Sequence, residues 1–457
     1  EYAIRSGFFR FTYNYREKYL LEVNGRYDGS SKFPHDTRYG FFPSFSAGWQ
    51  LGREQFMGWS VGWLNELKPR ISWGQLGNHE GVVEYGYMPG MGTEKAYWVV
   101  NGERPTTLKA PALVRSNYTW EKVETLRIGL DVSLLDYRLT GVFDWYDRRT
   151  KEMLAPGLAL PGVVGADAPM QNVANLQTKG WEISLKWRDN IGAWRYSVGV
   201  NRYDGKTEIT KYKNEAGLFY DRNDAQTAKR YRVGMKLGEI WGYVTDGFYD
   251  VHDFSDLSNW TLKEGVVKLN GYTPRPGDVK FKDLDGDNMI SIGENTVENP
   301  GDRKIIGNNT ARYQFGSNLS VGWKDFDLSV FLQGVGKRDY WLGGDIMFGP
   351  SVHYGNVFSH QLNYWKPADW KNGDYTAANS KAFYPRIYDR NNNSGTNYRI
   401  QTKYLSNAAY LRLKNITLSY NIPLSALQKV GLSAGKVFFS GENIFTKSDL
   451  PKGADPE

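Results

Sequence analysis

Residues 180–203 read GWEISLKWRDNIGAWRYSVGVNRY, and apolar and polar side chains alternate through both halves of this stretch. Its apolar positions are Trp181, Ile183, Leu185, Trp187, Trp194, Tyr196, Val198 and Val200. Because successive side chains of a strand point to opposite faces, the pattern predicts a β-hairpin with one apolar and one polar face. In a soluble sandwich the apolar face would pack on a second sheet. In an outer-membrane barrel it would contact lipid, and aromatic residues at the strand ends favour this arrangement.

The two faces of this hairpin can be assigned residue by residue. We expect the side chains that contact lipid to be those of Ile183, Leu185, Val198 and Val200. We expect the side chains that face the lumen to be those of Glu182, Lys186, Arg195 and Asn201. The sequence therefore predicts an all-β fold, an antiparallel transmembrane β-barrel of the outer-membrane type.

The same alternation recurs along the chain. Segments that show it include residues 7–15, 19–28, 41–51, 67–76, 123–134, 138–148, 313–323, 326–334, 411–422 and 437–445. This gives about a dozen strands of roughly 10 residues, which is the length that a tilted strand needs to cross a bilayer.

The predicted connections differ in length in a regular way. Short turns are expected at residues 16–18, 135–137, 190–193 and 324–325. Long loops are expected at about residues 80–118, 150–178, 204–312 and 335–404. Short turns at one rim and long loops at the other are typical of outer-membrane barrels, whose long loops are extracellular.

Composition excludes several other classes of protein. The 457 residues include 57 Lys and Arg and 50 Asp and Glu, and these charges are interspersed rather than collected in a basic stripe. Nucleic acid is therefore not an expected partner. No apolar run approaches the roughly 20 residues of a membrane helix. The chain has no cysteine, which excludes disulfides and thiol catalysis.

The chain ends lie close to predicted strands. Glu1 precedes the first strand by a few residues, and Asp455, Pro456 and Glu457 follow the last predicted strand. A closed barrel needs a partner for every strand edge. We therefore expect this chain to be one portion of a larger barrel.

Several short motifs, in this order, resemble those of the SusC/RagA family of TonB-dependent outer-membrane transporters of Bacteroidetes. They are YDGSS at 27–31, RYG at 38–40, FPS at 42–44, LKPRISWG at 67–74, GWE at 180–182, IWGY at 240–243, DGF at 246–248, PGD at 276–278 and YLRLKN at 410–415. They span nearly the whole chain, and the resemblance identifies it as the C-terminal part of such a barrel.

The resemblance implies more than the residues themselves show. It implies a 22-stranded barrel with an N-terminal plug, a SusD-like surface lipoprotein over the loops, and a dimer of SusC–SusD pairs. It also implies transport of oligosaccharides or oligopeptides into the periplasm, driven by TonB, ExbB and ExbD. The plug, the TonB box and the earlier strands of the family are not found in this sequence, so energy coupling is expected to involve an N-terminal region that this chain lacks.

Residues 283–294 read DLDGDNMISIGE and have the spacing of an EF-hand calcium loop. The predicted ligands are Asp283, Asp285, Asp287, the carbonyl of Met289, Ser291 and Glu294. Oxygen ligands at these positions suit a hard cation, Ca²⁺ or Mg²⁺. Asn288 stands at the sixth position, where a left-handed backbone is needed and Gly is usual. The alternative is an Asp-rich β-turn whose carboxylates bond to nearby backbone.

The sequence GWSVG at 58–62 matches the nucleophile pattern of α/β hydrolases. That pattern needs a buried strand before the serine and a helix after it. The preceding residues, Glu54, Gln55, Phe56 and Met57, do not form an apolar strand. We interpret the match as part of a barrel connection and predict that the chain is not an enzyme.

Aromatic residues are frequent in the predicted long loops. Those that we single out as candidate contacts to a substrate or partner are Tyr97, Trp98, Trp260, Tyr340, Trp341, Trp365 and Trp370. Flat aromatic rings can stack on sugars or pack on peptides, and they are also common at protein interfaces. For any single residue, packing of loop on loop or on the lipoprotein is the simpler explanation.

The sequence thus predicts an outer-membrane nutrient importer, embedded in lipid. Two alternatives from other classes stay open: a secreted β-rich glycan-binding or adhesin protein, and an extracellular glycoside hydrolase. The hydrolase would need two carboxylates held roughly 5–10 Å apart in a cleft, which sequence does not reveal. A requirement for detergent distinguishes the importer from both.

Overall fold

A single sheet of 12 antiparallel strands dominates the computed structural model of the chain. The structure describes all residues except 110–112, 115–118, 157–162, 164–169, 213–230, 344–356, 380, 389–396 and 452. The strands of the sheet are β1 (Ile4–Tyr15), β2 (Tyr19–Ser30), β3 (Tyr39–Trp49), β4 (Leu64–Asn78), β7 (Glu121–Leu134), β8 (Leu139–Pro156), β9 (Met170–Ile191), β10 (Trp194–Lys211), β17 (Arg312–Trp323), β18 (Phe326–Lys337), β23 (Tyr410–Asn421) and β24 (Lys436–Ser448). The predicted all-β, antiparallel class is confirmed.

Each strand of the sheet pairs with the sheet strands before and after it in the chain. Among the described residues, β1 and β24 each pair on one side only, so the sheet is an open barrel wall. Tight turns join β1 to β2, β7 to β8, β9 to β10 and β17 to β18 at one rim, which we call the short-turn rim. The left-handed backbone at Arg16, Leu135, Gly192 and Lys324 matches the turn types that suit twisted hairpins.

The opposite rim carries the long connections, and we call it the long-loop rim. Its shorter strands are β5 (Thr93–Lys95), β6 (Thr106–Leu108), β11 (Glu239–Tyr243), β12 (Thr245–Phe248), β13 (Phe254–Asp256), β14 (Thr261–Leu262), β15 (Val279–Phe281), β16 (Arg303–Asn308), β19 (Asp339–Trp341), β20 (Pro367–Asp369), β21 (Asp374–Ala377) and β22 (Leu405–Asn407).

Helices are short throughout the described part of the chain. One four-residue α-helix spans Leu424–Leu427. The 3₁₀ turns are His35–Thr37, Leu51–Arg53, Gln55–Ser60, Val251–Asp253, Ser359–Leu362, Trp370–Asn372 and Gln428–Val430. None of the described helices has both the length and the apolar character needed to cross a membrane.

The register of the sheet groups apolar side chains on one face. Ile183 lies opposite Phe143, and Leu185 lies opposite Val200, so these residues share a face. On the other face Arg70 donates to Asp131 at 3.0 Å and to Asp144 at 2.7 Å. Glu182 lies opposite Asp144 and therefore belongs to this polar face. The segregation agrees with the predicted lipid and lumen faces.

Aromatic rings line the short-turn rim of the sheet. The ring centroids of Trp194 and Trp323 are 5.9 Å apart, and those of Phe326 and Tyr420 are 4.7 Å apart. Towards the long-loop rim, Trp145 and Trp181 lie directly opposite each other. Trp and Tyr favour the boundary between lipid and water. The two aromatic levels therefore bracket the apolar band of the sheet.

The hairpin of β8 and β9 is longer than the sequence pattern indicated. The predicted loop at 150–178 is shorter in the structure, because pairing continues to Pro156 opposite Met170. Similarly, β10 continues to Lys211 within the range predicted as the loop 204–312. Beyond Trp145 and Trp181 polar residues are frequent, and the register shifts between Thr150 and Leu154, so the alternation that marks a strand in sequence is interrupted. A small apolar cluster of Ala155, Val173 and Ala174 lies near the strand ends. Backbone pairing does not need an apolar face, and the ladder simply continues.

The GWSVG stretch lies in the connection between β3 and β4. Gln55–Ser60 form a 3₁₀ turn there, and the hydroxyl of Ser60 donates to the carbonyl of Met57 at 2.7 Å. The segment lacks the strand before the serine and the helix after it that a nucleophile elbow requires. It is part of the short-turn rim, as interpreted from the sequence.

Candidate functional site

The connections from β10 to β17 and from β18 to β23 fold against each other. The amide of Tyr243 donates to the carbonyl of Ile400 at 2.9 Å, and the amide of Thr402 donates back to Tyr243 at 3.1 Å. The hydroxyl of Thr245 donates to Gln401 at 3.0 Å. We call this unit, the described parts of residues 231–311 and 338–409, the loop body.

The loop body has its own hydrophobic core, to which both connections contribute. Its buried members are Tyr243, Leu269, Val279, Phe281, Ile290, Tyr384 and Tyr404. The rings of Tyr243 and Phe281 stack with centroids 4.8 Å apart. Because both connections bury side chains in this shared core, they form one folded unit rather than independent loops.

Two buried tyrosines of the loop body, Tyr249 and Tyr404, are anchored through their hydroxyl groups. Tyr249 donates to the carbonyl of Val267 at 2.7 Å, and Tyr404 donates to the carbonyl of Phe383 at 2.8 Å. Burial raises the pKa of both tyrosines well above the usual value. Both side chains therefore stay neutral and act as hydrogen-bond donors over the whole physiological range.

Buried amide side chains connect the two halves of the loop body. Asn397 is 1% exposed; it accepts from the amide of Val279 at 2.9 Å and donates to Asp278 at 3.1 Å. Gln401 is also fully buried and donates to the carbonyl of Asn397 at 3.1 Å. Satisfied polar groups of this kind specify one relative arrangement of the two connections, because any other would leave them unpaired.

Three of the singled-out aromatic residues pack within the loop body. Trp365 is 2% exposed, and its ring lies so close to Gly277 that a Cβ there would approach it to 2.3 Å. Trp341 packs against the hydrophobic core, and Trp260 packs edge-on against Tyr375 with centroids 5.0 Å apart. The expectation of ligand contact is therefore corrected for Trp365, whose ring serves the fold.

The other four are exposed to solvent. Tyr97 and Trp98 follow β5 in the β4–β7 connection and are 88% and 59% exposed, while Tyr340 and Trp370 belong to the loop body and are 42% and 63% exposed. Arg104 lies over the Tyr97 ring at 5.7 Å. Their exposure leaves these four rings accessible to a ligand or partner.

The acidic loop brings together the first three of its predicted ligands. Carboxylate oxygens of Asp283, Asp285 and Asp287 all lie within 4.8 Å of one another. Asn288 has a φ of 66°, the left-handed backbone expected at the sixth position. Its amide donates to Asp283 at 2.9 Å. This local bonding is the pattern of the alternative reading, an Asp-rich turn, and it leaves oxygen lone pairs available to a cation.

The remaining predicted ligands are arranged differently. Glu294 lies outside the cluster of three carboxylates, and its amide donates to Asn299 at 3.1 Å. Ser291 uses its hydroxyl oxygen to accept from the amide of Gly293 at 3.0 Å. Met289, whose carbonyl was the sixth candidate, is 39% exposed.

Asp302 lies beside the acidic loop and belongs to none of the sequence motifs described above. It is fully buried and accepts from the amides of Leu284 at 2.6 Å and Ser291 at 2.8 Å. Burial raises its pKa, and the charges of Asp285 and Asp283 raise it further. No local spacing pointed to Asp302, because only the folded loop brings it to these residues.

The described fold agrees with comparisons to known families. The sequence model described as "TonB dependent receptor-like, beta-barrel" matches residues 1–334. This chain belongs to that family of outer-membrane β-barrels and is a SusC/RagA-like portion of such a barrel. The predicted family and outer-membrane location are confirmed.

Two curated receptors illustrate the relationship. The chain is 31% identical to TonB-dependent receptor P3 of Formosa agariphila over 100% of its own length and 42% of that receptor. It is 27% identical to TonB-dependent receptor SusC of Bacteroides thetaiotaomicron over 99% of its own length and 41% of that receptor. The chain thus spans under half the length of these relatives.

A solved structure supports the fold independently. The RagAB peptide transporter superposes with a TM-score of 0.75 at 20% identity, covering 100% of this chain and 45% of the solved chain. The superposition covers the barrel wall described above, and it supports the fold at a level where sequence identity is low.

Proposed function

We propose that the protein containing this chain imports an oligomeric nutrient, an oligosaccharide or oligopeptide, across the outer membrane. The loop body is the observation that carries this proposal. Two long connections on one rim share a core, and they leave exposed aromatic rings rather than a closed surface. Family membership supports a transport role, the name of the RagAB peptide transporter suggests the oligopeptide class, and the resemblance to the SusC/RagA family suggests the oligosaccharide class.

The proposed import also involves a surface lipoprotein of the SusD kind and energy from TonB, ExbB and ExbD. The RagAB neighbour is a complex by its name, which supports a paired assembly, and we extend this to a dimer of such pairs. The exposed rings of Tyr97, Trp98, Tyr340 and Trp370 would be divided between the lipoprotein and the ligand. Loops of this length are usually functional or covered by a partner.

Substitution of the exposed rings tests the proposal. Replacing Tyr97, Trp98, Tyr340 and Trp370 with Ala should leave membrane insertion intact, since none is buried. Growth on single glycan or peptide sources should fall, because stacking on aromatic rings contributes about 0.5–1.5 kcal/mol per contact. Phe438→Ala combined with Phe439→Ala is the control, because it removes exposed rings from β24, outside the long loops.

Co-purification from outer membranes in mild detergent tests the partner. A lipoprotein should co-elute with the wild-type protein and should be lost from the aromatic variant if these rings form the interface. Wild-type protein that always elutes alone, in cells whose growth does not change on any glycan or peptide when it is deleted, would favour the adhesin instead.

A further inference from the structure

Arg202 occupies an unusual position on the outer wall of the sheet. It lies on β10 opposite Ile183 on one side and Phe315 on the other, which places it on the apolar face. Its guanidinium lies 5.9 Å from the ring centroid of Trp181 and 5.4 Å from that of Tyr313. Among the described residues it forms no ion pair. A long cationic side chain on a lipid face reaches to the headgroup level, and these rings mark that level.

Two lysines lie on the same face, one step further towards the long-loop rim. Lys179 on β9 and Lys206 on β10 are directly opposite each other, and both are exposed. Like charges in this arrangement are destabilising unless a counterion separates them. Within the described part of the chain, neither lysine has an ion-pair partner.

The nearest carboxylates are already engaged by other cations. Asp204 accepts from both Nε and Nη2 of Arg312 at 2.5 Å. Asp147, directly opposite Lys179, accepts from Arg149 at 2.9 Å and from Gln177 at 2.9 Å. Arg202, Lys179 and Lys206 therefore present positive charge that the neighbouring acidic groups do not neutralise.

We propose that Arg202, Lys179 and Lys206 bind the phosphate groups of a phosphorylated glycolipid in the outer leaflet of the outer membrane. The long-loop rim is the extracellular side, so the site faces that leaflet. The rings of Trp181 and Tyr313 form the apolar floor on which the glycolipid rests, and the three cations supply the charge complementarity. The inference does not depend on which nutrient the protein carries.

The test uses the full-length protein that contains this chain, purified from outer membranes in mild detergent. Lipid A carrying its phosphates, or lipid A with the phosphates removed, is titrated into the micelles, and bound lipid is counted by native mass spectrometry. Each cation at a charged lipid surface contributes about a fivefold gain in affinity. Arg202→Gln combined with Lys206→Gln should therefore weaken binding of phosphorylated lipid A about 30-fold.

The matched control removes one Lys and one Arg from the lumen face of neighbouring strands. Lys186 and Arg127 lie on the polar face, so Lys186→Gln combined with Arg127→Gln should leave lipid A affinity unchanged. A heat-modifiability assay on gels checks that both double variants remain folded barrels. Equal affinity for phosphorylated and dephosphorylated lipid A would overturn the proposal, as would equal losses in the two double variants.

Discussion

At the residue scale, the face on which a side chain of the barrel wall lies determines how much its substitution changes stability. Leu185 lies midway between the two aromatic levels and opposite Val200, whereas its neighbour Lys186 points to the other face. Of these two adjacent residues, one thus contacts lipid and the other faces the lumen. A charge that is tolerated on the lumen face destabilises the barrel when it is placed on the lipid face.

The first prediction compares these two neighbours. Leu185→Arg should destabilise the barrel by about 2–4 kcal/mol, because it places a cation near the bilayer midplane. Lys186→Leu should change stability little, because the lumen-facing side chain does not contact lipid. Urea unfolding of the full-length protein in lipid vesicles measures both. If the two variants folded and inserted equally well, the assigned faces would be wrong.

The second prediction concerns the acidic loop, which we propose binds Ca²⁺ or Mg²⁺. Asp285→Asn should reduce the metal content of protein purified without chelator, because it removes one of three clustered carboxylates. Asp246→Asn, at a carboxylate outside the cluster, is the control. A lower metal content in Glu294→Gln would show that the carboxylate at the twelfth position of the loop also binds the ion. Unchanged metal content in Asp285→Asn would exclude the site.

The third prediction is a pH dependence of metal binding. The pKa of Asp302 is raised by burial, so the folded loop holds this proton more tightly than the unfolded chain. Without metal, the stability of the loop should therefore fall as pH rises from the unfolded pKa through the raised folded value. A cation removes this cost, so stabilisation by Ca²⁺ should be larger at roughly pH 7 than at roughly pH 4. Thermal unfolding with and without Ca²⁺ measures the difference, and Asp302→Asn should reduce its pH dependence to the part that protonation of the clustered carboxylates causes.

At the element scale, the loop body depends on contacts between strands that are far apart in sequence. Its β11 strand donates a hydrogen bond to Ile400 and accepts one from Thr402, and Trp365 packs on the turn at Gly277. Gly277 has a φ of 91° and no room for a side chain, so the turn and the ring are mutually dependent.

The fourth prediction tests this dependence. Trp365→Ala should destabilise the loop body by about 3–5 kcal/mol, because it leaves a cavity in a packed interior. Hydrogen exchange should then accelerate at the amides of Tyr243 and Thr402, while exchange in the barrel strands is unchanged. Trp370→Ala removes a ring of the same size that is 63% exposed and should leave exchange unaltered. Equal exchange in the two variants would show that the loop body does not fold as one unit.

At the scale of the whole molecule, the barrel wall and the loop body are held by different forces. Between its two aromatic levels, the wall presents its apolar face outward to lipid and its charges inward. The loop body buries its apolar residues inward, as a soluble domain does. Apolar side chains thus point outward in one part of the chain and inward in the other. The boundary between the two parts lies near the aromatic level of Trp145 and Trp181.

The fifth prediction separates the two parts. Replacing residues 339–407 with a short Gly-Ser linker should leave the sheet inserted in the membrane. The connection from β10 to β17 should become sensitive to protease. Its core residues Val279, Phe281 and Ile290 would lose their packing against Tyr384 and Tyr404. Limited proteolysis of intact cells measures this. A connection from β10 to β17 that stayed resistant would show that it folds alone.

The sequence by itself determined the barrel wall and its family. Period-two alternation is a local property, so strands such as Arg312–Trp323 and Phe326–Lys337 could be located closely from pattern alone. The continuation of β8 above the membrane was missed at Thr150–Pro156, because register shifts between Thr150 and Leu154 interrupt the period-two alternation there. The tertiary structure alone decided which aromatic residues are available to a ligand. Trp365 and Trp370 are indistinguishable in sequence, yet one is buried and the other exposed. Burial in the loop body, like the approach of Asp302 to the acidic loop, arises from contacts between distant segments, and no local pattern encodes those contacts.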